Sequence, residues 1–408
     1  MASYLVNERC LAKLITLQLK KKYSDKIRKG YPLLEKEAVS VPEKLKDEGQ
    51  LLQLVDEHHH YLATAYYGNQ NKGLGWVLTD CKEEKIDHAF FSRKFAAAIN
   101  LRKQLYQDEQ TTAFRVFNGE GDGIGGITID YYDGFYMIQW YSKGIYSFRA
   151  DILSALKETV HYIGIYEKKR FDSKGQYVED DDFVAGERGS FPLIVKENGV
   201  NFAVYLNDGA MTGIFLDQRE VRKAIKERYS ASAEVLNMFS YTGAFSVNAA
   251  LGGARMTTSV DVANRSRAKT EEQFNVNGID PKTQQIVVDD VFQYFKYAAR
   301  KQRSFDLVIL DPPSFAKTKK RTFSAAKDYK ELLKETIAIT KNEGVIVAST
   351  NSSAFNMKHF KGFIQTACKE MNAKYTILEE YSLPSDFKHI RSFPEGNYLK
   401  VVFIRVNK

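Results

Sequence analysis

The chain is predicted to be an α/β protein in which a mostly parallel sheet wrapped by helices follows a small α+β domain and an N-terminal β-rich module. Three observations carry this. From Val235 onward, short apolar strands alternate with helical segments, the pattern of a parallel sheet covered on both faces. One strand, Val235 to Phe239, stops at a small-residue turn and resumes as a helix, with the carboxylate of Asp261 about 20 residues on, an arrangement suited to a nucleoside's ribose. Another apolar strand closes on Asp311-Pro312-Pro313-Ser314-Phe315, where a planar substrate could be presented beside that nucleoside.

At 408 residues the chain exceeds what one core usually organises, so two or three domains are expected, and the pattern along the chain divides it as 1–80, 85–190 and 195–408. The formal charge of +8 and a pI near 9.0 favour polyanionic partners. Cys10, Cys81 and Cys368 are far apart and form no CxxC pair, so neither a disulfide framework nor a zinc site is encoded and a cytoplasmic setting fits. No apolar run approaches the roughly 20 residues needed to span a bilayer, and no membrane association is expected.

In the first module, Leu51–Val55 and Tyr61–Ala65 alternate as strands, and His58-His59-His60 between them forms a turn whose rings diverge rather than meet on a metal. The second domain is expected to hold helices over Phe90 to Gln107 and Phe148 to Thr159 and a strand at Tyr162 to Tyr166. Its Gly121-Asp122-Gly123-Ile124-Gly125-Gly126 satisfies GxGxxG, but an alternating strand, Ile127 to Asp130, follows where a dinucleotide site needs a helix, so a glycine-rich hairpin is expected. After a polar stretch from Asp172 to Ser190, a hairpin is expected around Phe202–Tyr205 and Ile214–Leu216.

The sheet strands are then Val235–Phe239, Met256–Val260, Gln285–Val288, Asp306–Leu310 and Val345–Ser349, with Tyr375–Glu380 and Leu399–Arg405 as antiparallel edges. Gly243 is expected to let its loop approach a ligand, and the helix 244–251 to aim its first amides there. Asp261 and Asp290 end successive strands, placed for ribose hydroxyls and an adenine amino group; the alternative for either alone is a helix N-cap. In Asp311-Pro312-Pro313 the prolines stiffen the turn and hold the carboxylate out from the sheet, so that a base stacked on Phe315 could bond to Asp311; a plain strand terminator is the alternative. The run Lys317-Thr318-Lys319-Lys320-Arg321 follows, with Lys317, Lys319, Lys320 and Arg321 as candidates for positioning phosphates beside a base pocket; a solvated face is the alternative.

Several longer segments share one pattern. Phe90 to Arg93, Gly119 to Gly123, Phe215-Leu216-Asp217-Gln218-Arg219, Asn237 to Phe245, Asp289-Asp290-Val291-Phe292, Asp311 to Phe315 and Pro394 to Lys400 resemble the bacterial ribosomal RNA large-subunit methyltransferases of the I and K types. These are class I S-adenosylmethionine-dependent enzymes. The resemblance implies a Rossmann-like, mostly parallel seven-stranded sheet, an N-terminal PUA-like RNA-binding barrel, S-adenosyl-L-methionine as cofactor and S-adenosylhomocysteine as product. It implies ribosomal RNA or a large-subunit precursor as partner, and a homodimer. By it, Phe239, Ser240, Tyr241, Thr242 and Gly243 contact the methionine part of the cofactor, Asp261 the ribose and Asp290 with Val291 the adenine, Gln218 and Arg219 pass over it, and Asp311 also contacts it.

The cytosine-C5 enzymes of this kind carry cysteine after the fifth strand, because carbon 5 becomes nucleophilic only once a thiolate has added to the ring. Here the matching stretch is Ala348-Ser349-Thr350-Asn351-Ser352-Ser353, with Asn351 at the cysteine position. Cys368 falls in the helical pattern Phe363-Ile364-Ala367-Met371 as a small buried residue. Guanine-nitrogen methylation needs no adduct, so that target is expected, with Asp311, Pro312, Pro313, Phe315 and Asn351 as the catalytic set. Alternatives are a cytosine-C5 enzyme and a non-catalytic RNA-binding assembly factor. A nicotinamide oxidoreductase is disfavoured because the turn Ser240 to Gly243 lacks GxGxxG.

Overall fold

The computed structural model describes residues 14–39, 45–70, 73–171, 182–209, 211–317 and 322–408. They form two compact units: one runs to Gln107 and adds Phe114–Gly189 and Asp386–Pro394, and the other takes Asp108–Ala113, Ser190–Ser385 and Glu395–Lys408. Residues 1–80 and most of 85–190 fall in the first unit, and most of 195–408 in the second. Of the polar stretch expected at 172–190, residues 172–181 lie outside the described residues.

The first unit holds two five-stranded sheets. In the N-terminal one, Ile15–Gln18 pairs in parallel with Leu51–Val55, and Tyr61–Tyr67, Gly75–Thr79 and Leu33–Leu34 continue it antiparallel. Leu17, Leu52, Leu54, Ala63 and Ala65 make a core of its own. The histidine turn is held by the Asp56 carboxylate, which accepts the amides of His58 (2.8 Å) and His60 (2.9 Å) and pairs with Arg28.

The second sheet is ordered Phe183–Gly186, Gly164–Lys169, Phe135–Trp140, Ile127–Tyr132, Ala113–Asn118, with helices His88–Leu101 and Arg149–Thr159 packed together. Its glycine run is a turn of 3-10 helix, Gly119–Asp122, joining two neighbouring strands. Close packing demands the glycine there: a Cβ on Gly121 would sit 1.8 Å from the Lys388 carbonyl oxygen. The Asp386–Pro394 segment is seated on this turn by buried groups. Arg102 makes paired bonds to Asp122 (2.9 and 2.7 Å) and donates to the Asp386 carbonyl, while Asn118 donates to the Lys388 carbonyl at 2.9 Å.

In the second unit the strands are β1 (Glu234–Met238), β2 (Met256–Asp261), β3 (Gln285–Val288), β4 (Phe305–Leu310), β5 (Thr340–Thr350), β6 (Lys374–Tyr381) and β7 (Lys400–Asn407). Helices α1 (Ala244–Leu251), α2 (Ser266–Asn275), α3 (Val291–Arg300), α4 (Ala325–Ile339) and α5 (Met357–Glu370) follow β1 to β5 in turn. The sheet order is β3-β2-β1-β4-β5-β7-β6. Pairs among β1 to β5 are parallel, and β7 is antiparallel to both of its neighbours. Strand order reverses between β1 and β4, so the crevice at their carboxyl ends is the place for a ligand. Leu236, Met238, Val308, Leu310, Ile346, Val402 and Ile404 meet Phe295, Leu332, Leu333, Phe360 and Ile364 of the helices in the core. Strands covered on both faces need such near-continuous apolar runs.

Two expectations are corrected. The hairpin partner of Val200–Val204 is Leu193–Glu197, because Asn198 and Gly199, both at positive φ, supply the two-residue turn; Leu216–Gln218 is a 3-10 turn instead. The closing strands are not a pair of antiparallel edges either. The fully buried Val401, Val402, Phe403 and Ile404 need neighbours on both sides, so β7 is inserted beside β5, while β6 forms the edge and runs parallel to β1 through β5. No helix among the described residues is long and apolar enough to cross a membrane.

Substituting Gly121→Ala should lower Tm by several degrees by forcing the turn off Lys388. Gly362→Ala, in the interior of α5 with nothing within 4 Å of the added Cβ, should instead stabilise by about 0.5–1 kcal/mol. Thermal unfolding of the two variants checks both signs.

Candidate active site

A cavity of about 410 Å³ opens at the carboxyl ends of the central strands. Of the residues expected to hold a cofactor, Gln218, Phe239, Tyr241, Asp261, Asp290 and Val291 line it; Arg219, Ser240, Thr242 and Gly243 do not. Of the catalytic set, Asp311, Pro312, Pro313 and Asn351 line it. Phe315 does not: the residue is 63% exposed, beside Ala316, which does reach the cavity. Lys317 ends a short strand, Phe315–Lys317, and Lys319, Lys320 and Arg321 lie outside the described residues.

The loop after β1 places its side chains by backbone conformation. Phe239 and Tyr241 take positive φ (60° and 52°), and their rings reach the cavity, while Ser240 and Thr242 are buried. A non-glycine residue in this region costs about 1–2 kcal/mol, so it persists only where neighbours determine it. The neighbours here are the Val260 carbonyl, which accepts the Ser240 amide (3.0 Å), and the Asp261 carboxylate, which accepts the Tyr241 amide (2.8 Å). Thr242 donates its hydroxyl to the Gly213 carbonyl at 2.7 Å. Gly243 is needed within the fold: a Cβ on it would lie 2.5 Å from the Thr270 methyl, so this glycine, at φ 79°, lets the loop close onto α2.

Asp261 accepts one backbone amide on each oxygen, Tyr241 at 2.8 Å and Ala263 at 2.9 Å, which fixes the carboxylate at the cavity wall. Asp290 is a helix N-cap and a wall residue at once. Its Oδ1 accepts the Phe292 and Gln293 amides at the start of α3.

Asp311 stands at the end of β4. Its Oδ1 accepts the Ser349 hydroxyl (2.8 Å) and the Gln218 side-chain amide (3.1 Å); Gln218 also donates to Ser349, and the Ser349 carbonyl accepts the buried Tyr329 hydroxyl. Burial pushes the Asp311 carboxyl up to about 6, helped by the nearby Asp217 charge and opposed by the Ser349 and Gln218 bonds. Across the cavity mouth Asn351 accepts the Ser314 hydroxyl through Oδ1, which orients its amide.

Sequence reasoning missed Met211, Phe215, Asp217, Val262, Arg265, Phe292, Ala316 and Phe323 in the wall. Phe239, Phe292 and Phe323 form one aromatic cluster with ring separations of 5.9 to 6.3 Å. Val262 and Phe292 directly follow or nearly follow residues that were singled out, so alternation past the strand ends was the available signal. Nothing local marks Arg265.

An aromatic and aliphatic slot with carboxylates at the ends of β2 and β3 fits an adenosyl group. Gln218 adds a buried Oε1 that has no hydrogen-bond partner among the described residues. The chain belongs to the S-adenosylmethionine-dependent methyltransferases, whose family pattern matches residues 164–395, and a PUA-like domain matches residues 17–80. It is an S-adenosylmethionine-dependent enzyme. Within that class it is 65% identical over 95% of its length to YwbD of Bacillus subtilis strain 168, described as a candidate ribosomal RNA large subunit methyltransferase, of which it covers 99%. It is 32% identical to ribosomal RNA large subunit methyltransferase I of Alteromonas mediterranea, over 92% of this chain and 94% of that one. Two solved structures share its fold. SMU.776, described as a candidate methyltransferase and complexed with SAH, superposes with a TM-score of 0.89 at 39% identity, over 96% of this chain and all of that one. A methyltransferase candidate from Streptococcus mutans gives 0.88 at 38%, with the same coverage.

The raised Asp311 carboxyl sets a stability prediction. The unfolded carboxyl ionises near 3.8 and the folded one near 6, so between these values the folded chain binds more protons and stability falls as pH rises. Asp311→Asn removes that penalty. Its Tm should equal or exceed the wild-type value at pH 7.5, with the difference gone by pH 4; a Tm several degrees lower at pH 7.5 would count against a desolvated carboxylate.

Proposed function

We propose that this chain transfers a methyl group from S-adenosylmethionine to a guanine nitrogen of large-subunit ribosomal RNA. The RNA assignment is supported by the names of its relatives and by the PUA-like domain. The guanine assignment rests on one observation: the wall position after β5, where a cytosine-C5 enzyme needs a thiolate, holds Asn351. Cys368 lies buried within α5 with its thiol pushed up to about 11 by burial, Cys81 belongs to the other unit, and Cys10 lies outside the described residues.

When bound, the cofactor supplies an electrophilic methyl group on a sulfonium. Asp261 would hold its ribose hydroxyls, Val262 and Phe292 its adenine, with Val291 beside it and Asp290 at the amino group. Gln218, Phe239 and Tyr241 would face the methionine end. The ionised Asp311 carboxylate accepts N–H from the base, and Pro312 and Pro313 keep that carboxylate from swinging. Asn351, oriented by Ser314, presents its amide NH₂ to the base rim, and Phe315 offers an exposed ring for stacking. Catalysis is then alignment of a nitrogen lone pair with the methyl carbon, and the aromatic wall excludes water from the methyl group. The basic run Lys317, Lys319, Lys320 and Arg321 takes RNA phosphates, the domains 1–80, 85–190 and 195–408 divide RNA grip from chemistry, and the enzyme works as a homodimer on RNA or a precursor particle.

Nucleoside mass spectrometry of unmodified ribosomal RNA after incubation with the protein and cofactor should show methylguanosine. 5-Methylcytidine would sink the adduct-free mechanism, and no product on RNA or on ribosomal subunits would favour a binding factor. Because the acceptor must be ionised, kcat/KM should rise with pH through about 6 and then level off, and Asp311→Asn should abolish both limb and rate. Asp261→Ala should weaken S-adenosylhomocysteine binding by roughly 10- to 100-fold in calorimetry, the cost of about 1.5–3 kcal/mol for bonds to a charged group.

A further inference from the structure

Helix α5 carries on its outer face a shallow groove of about 570 Å³, lined by Asn356, Lys358, His359, Gly362, Phe363 and Thr366. Beyond the Asn356 cap these positions recur at three- and four-residue intervals, so they form one stripe along the helix. A solvated stripe ordinarily carries charged side chains, whereas this one carries aromatic rings and a glycine. Phe355, His359 and Phe363 make a contiguous set: ring centroids are 5.8 Å apart for the first pair, 4.9 Å for the second and 5.3 Å between the two phenylalanines. Phe355 and Phe363 are half-buried, packed on one side against the core, while His359 is exposed. An added Cβ on Gly362 would meet nothing within 4 Å, so no contact inside the fold calls for glycine there and helix propensity opposes it. Its missing side chain leaves a notch in the stripe between His359 and Thr366. No carboxylate lines the groove. Glu370, at the end of α5, is paired with Lys330 and Lys334 at 2.8 Å each, and Glu380 with Lys361 at 2.9 Å. Lys358 has no ion-pair partner among the described residues.

From the clustered rings, the notch and the unpaired cation, we propose that this face of α5 seats an unstacked nucleotide of the ribosomal RNA, its base against His359 and Phe363 and its phosphate at Lys358. Single-stranded RNA is held in this way, by aromatic faces that accept any base and by cations that meet the backbone. A second copy of the chain is the competing occupant, since Gly362 and Thr366 are small enough for a helix to approach. Charge opposes it: a two-fold contact sets the same patch against itself, and this patch offers lysine and histidine with no carboxylate to receive them. A polyanion meets no such conflict. Phe355 comes four residues after Asn351, which lines the active-site cavity, and four residues span at most about 14 Å. The seated nucleotide therefore lies within a few positions of the base being methylated. The inference rests on RNA as the substrate and is independent of which base is the target.

His359→Ala, Phe363→Leu, Lys358→Gln and Gly362→Leu, the last filling the notch with a good helix former, are compared with wild type as full chains. Affinity is measured at several salt concentrations for protein-free large-subunit ribosomal RNA and for a mixed-sequence oligoribonucleotide, single-stranded and as a duplex. Tm, S-adenosylhomocysteine affinity and sedimentation are followed alongside. Affinity for ribosomal RNA and for the single strand should fall about tenfold in His359→Ala, Phe363→Leu and Gly362→Leu, with the salt slope unchanged. In Lys358→Gln it should fall with a salt slope smaller by about 0.7. Duplex binding and S-adenosylhomocysteine affinity should not move. Should Phe363→Leu lose its fold, His359→Ala, at an exposed position, and Gly362→Leu decide the matter. Unchanged single-strand affinity in these variants would overturn the site, as would equal losses for single strand and duplex. Dissociation of a wild-type oligomer by His359→Ala or Gly362→Leu, with single-strand affinity intact, would give the face to a second copy instead. A wild-type chain that binds no ribosomal RNA would sink the RNA reading and this site together, whereas RNA binding by wild type and variants alike sinks the site alone.

Discussion

The bond from the Tyr241 amide to the Asp261 carboxylate ties the loop after β1 to the end of β2, and the site is arranged around that tie. It holds Tyr241 in a left-handed conformation that an aromatic residue would not adopt unaided, and so turns the ring into the cavity. It also occupies one lone pair of Asp261 and leaves the carboxylate fixed rather than swinging. A single acceptor therefore orders both an apolar wall and a polar one.

Asp311 illustrates the opposite strategy. Burial raises its carboxyl, and its bonds to Ser349 and Gln218 only partly offset that rise, so the folded chain holds an acid of unusually weak acidity at the end of β4. Such a group is costly to the fold and useful to chemistry that must accept a proton-bearing edge of a base near neutral pH. The fully buried Ser349 bonds to it directly, and the fully buried Tyr329 holds Ser349 in turn through the Ser349 carbonyl.

The parallel half of the second unit was legible because strands buried on both faces leave continuous apolar runs, and strand ends in this topology place their next polar residue at the crevice. That logic found Asp261, Asp290 and Asp311. It failed where the deciding contact is distant in sequence: Gly243 answers to Thr270, Gly121 to Lys388, and Arg265 joins the cavity wall at a position that no local pattern records. The Asn198-Gly199 turn was local and carried the usual hairpin signal, so the strand Leu193–Glu197 could have been read from it. Asp290 shows that capping a helix and facing a ligand are compatible tasks, since the amides of the helix take one carboxylate oxygen.

The stretch Asp386–Pro394, which lies between β6 and β7 in sequence yet belongs to the first unit, makes the polypeptide cross between the units repeatedly. A gene fragment encoding 195–408 would carry this stretch away from Arg102, Asn118 and Gly121, where its carbonyl groups and backbone are seated. Neither unit is therefore one continuous stretch of sequence, and a single cut in the chain cannot separate them.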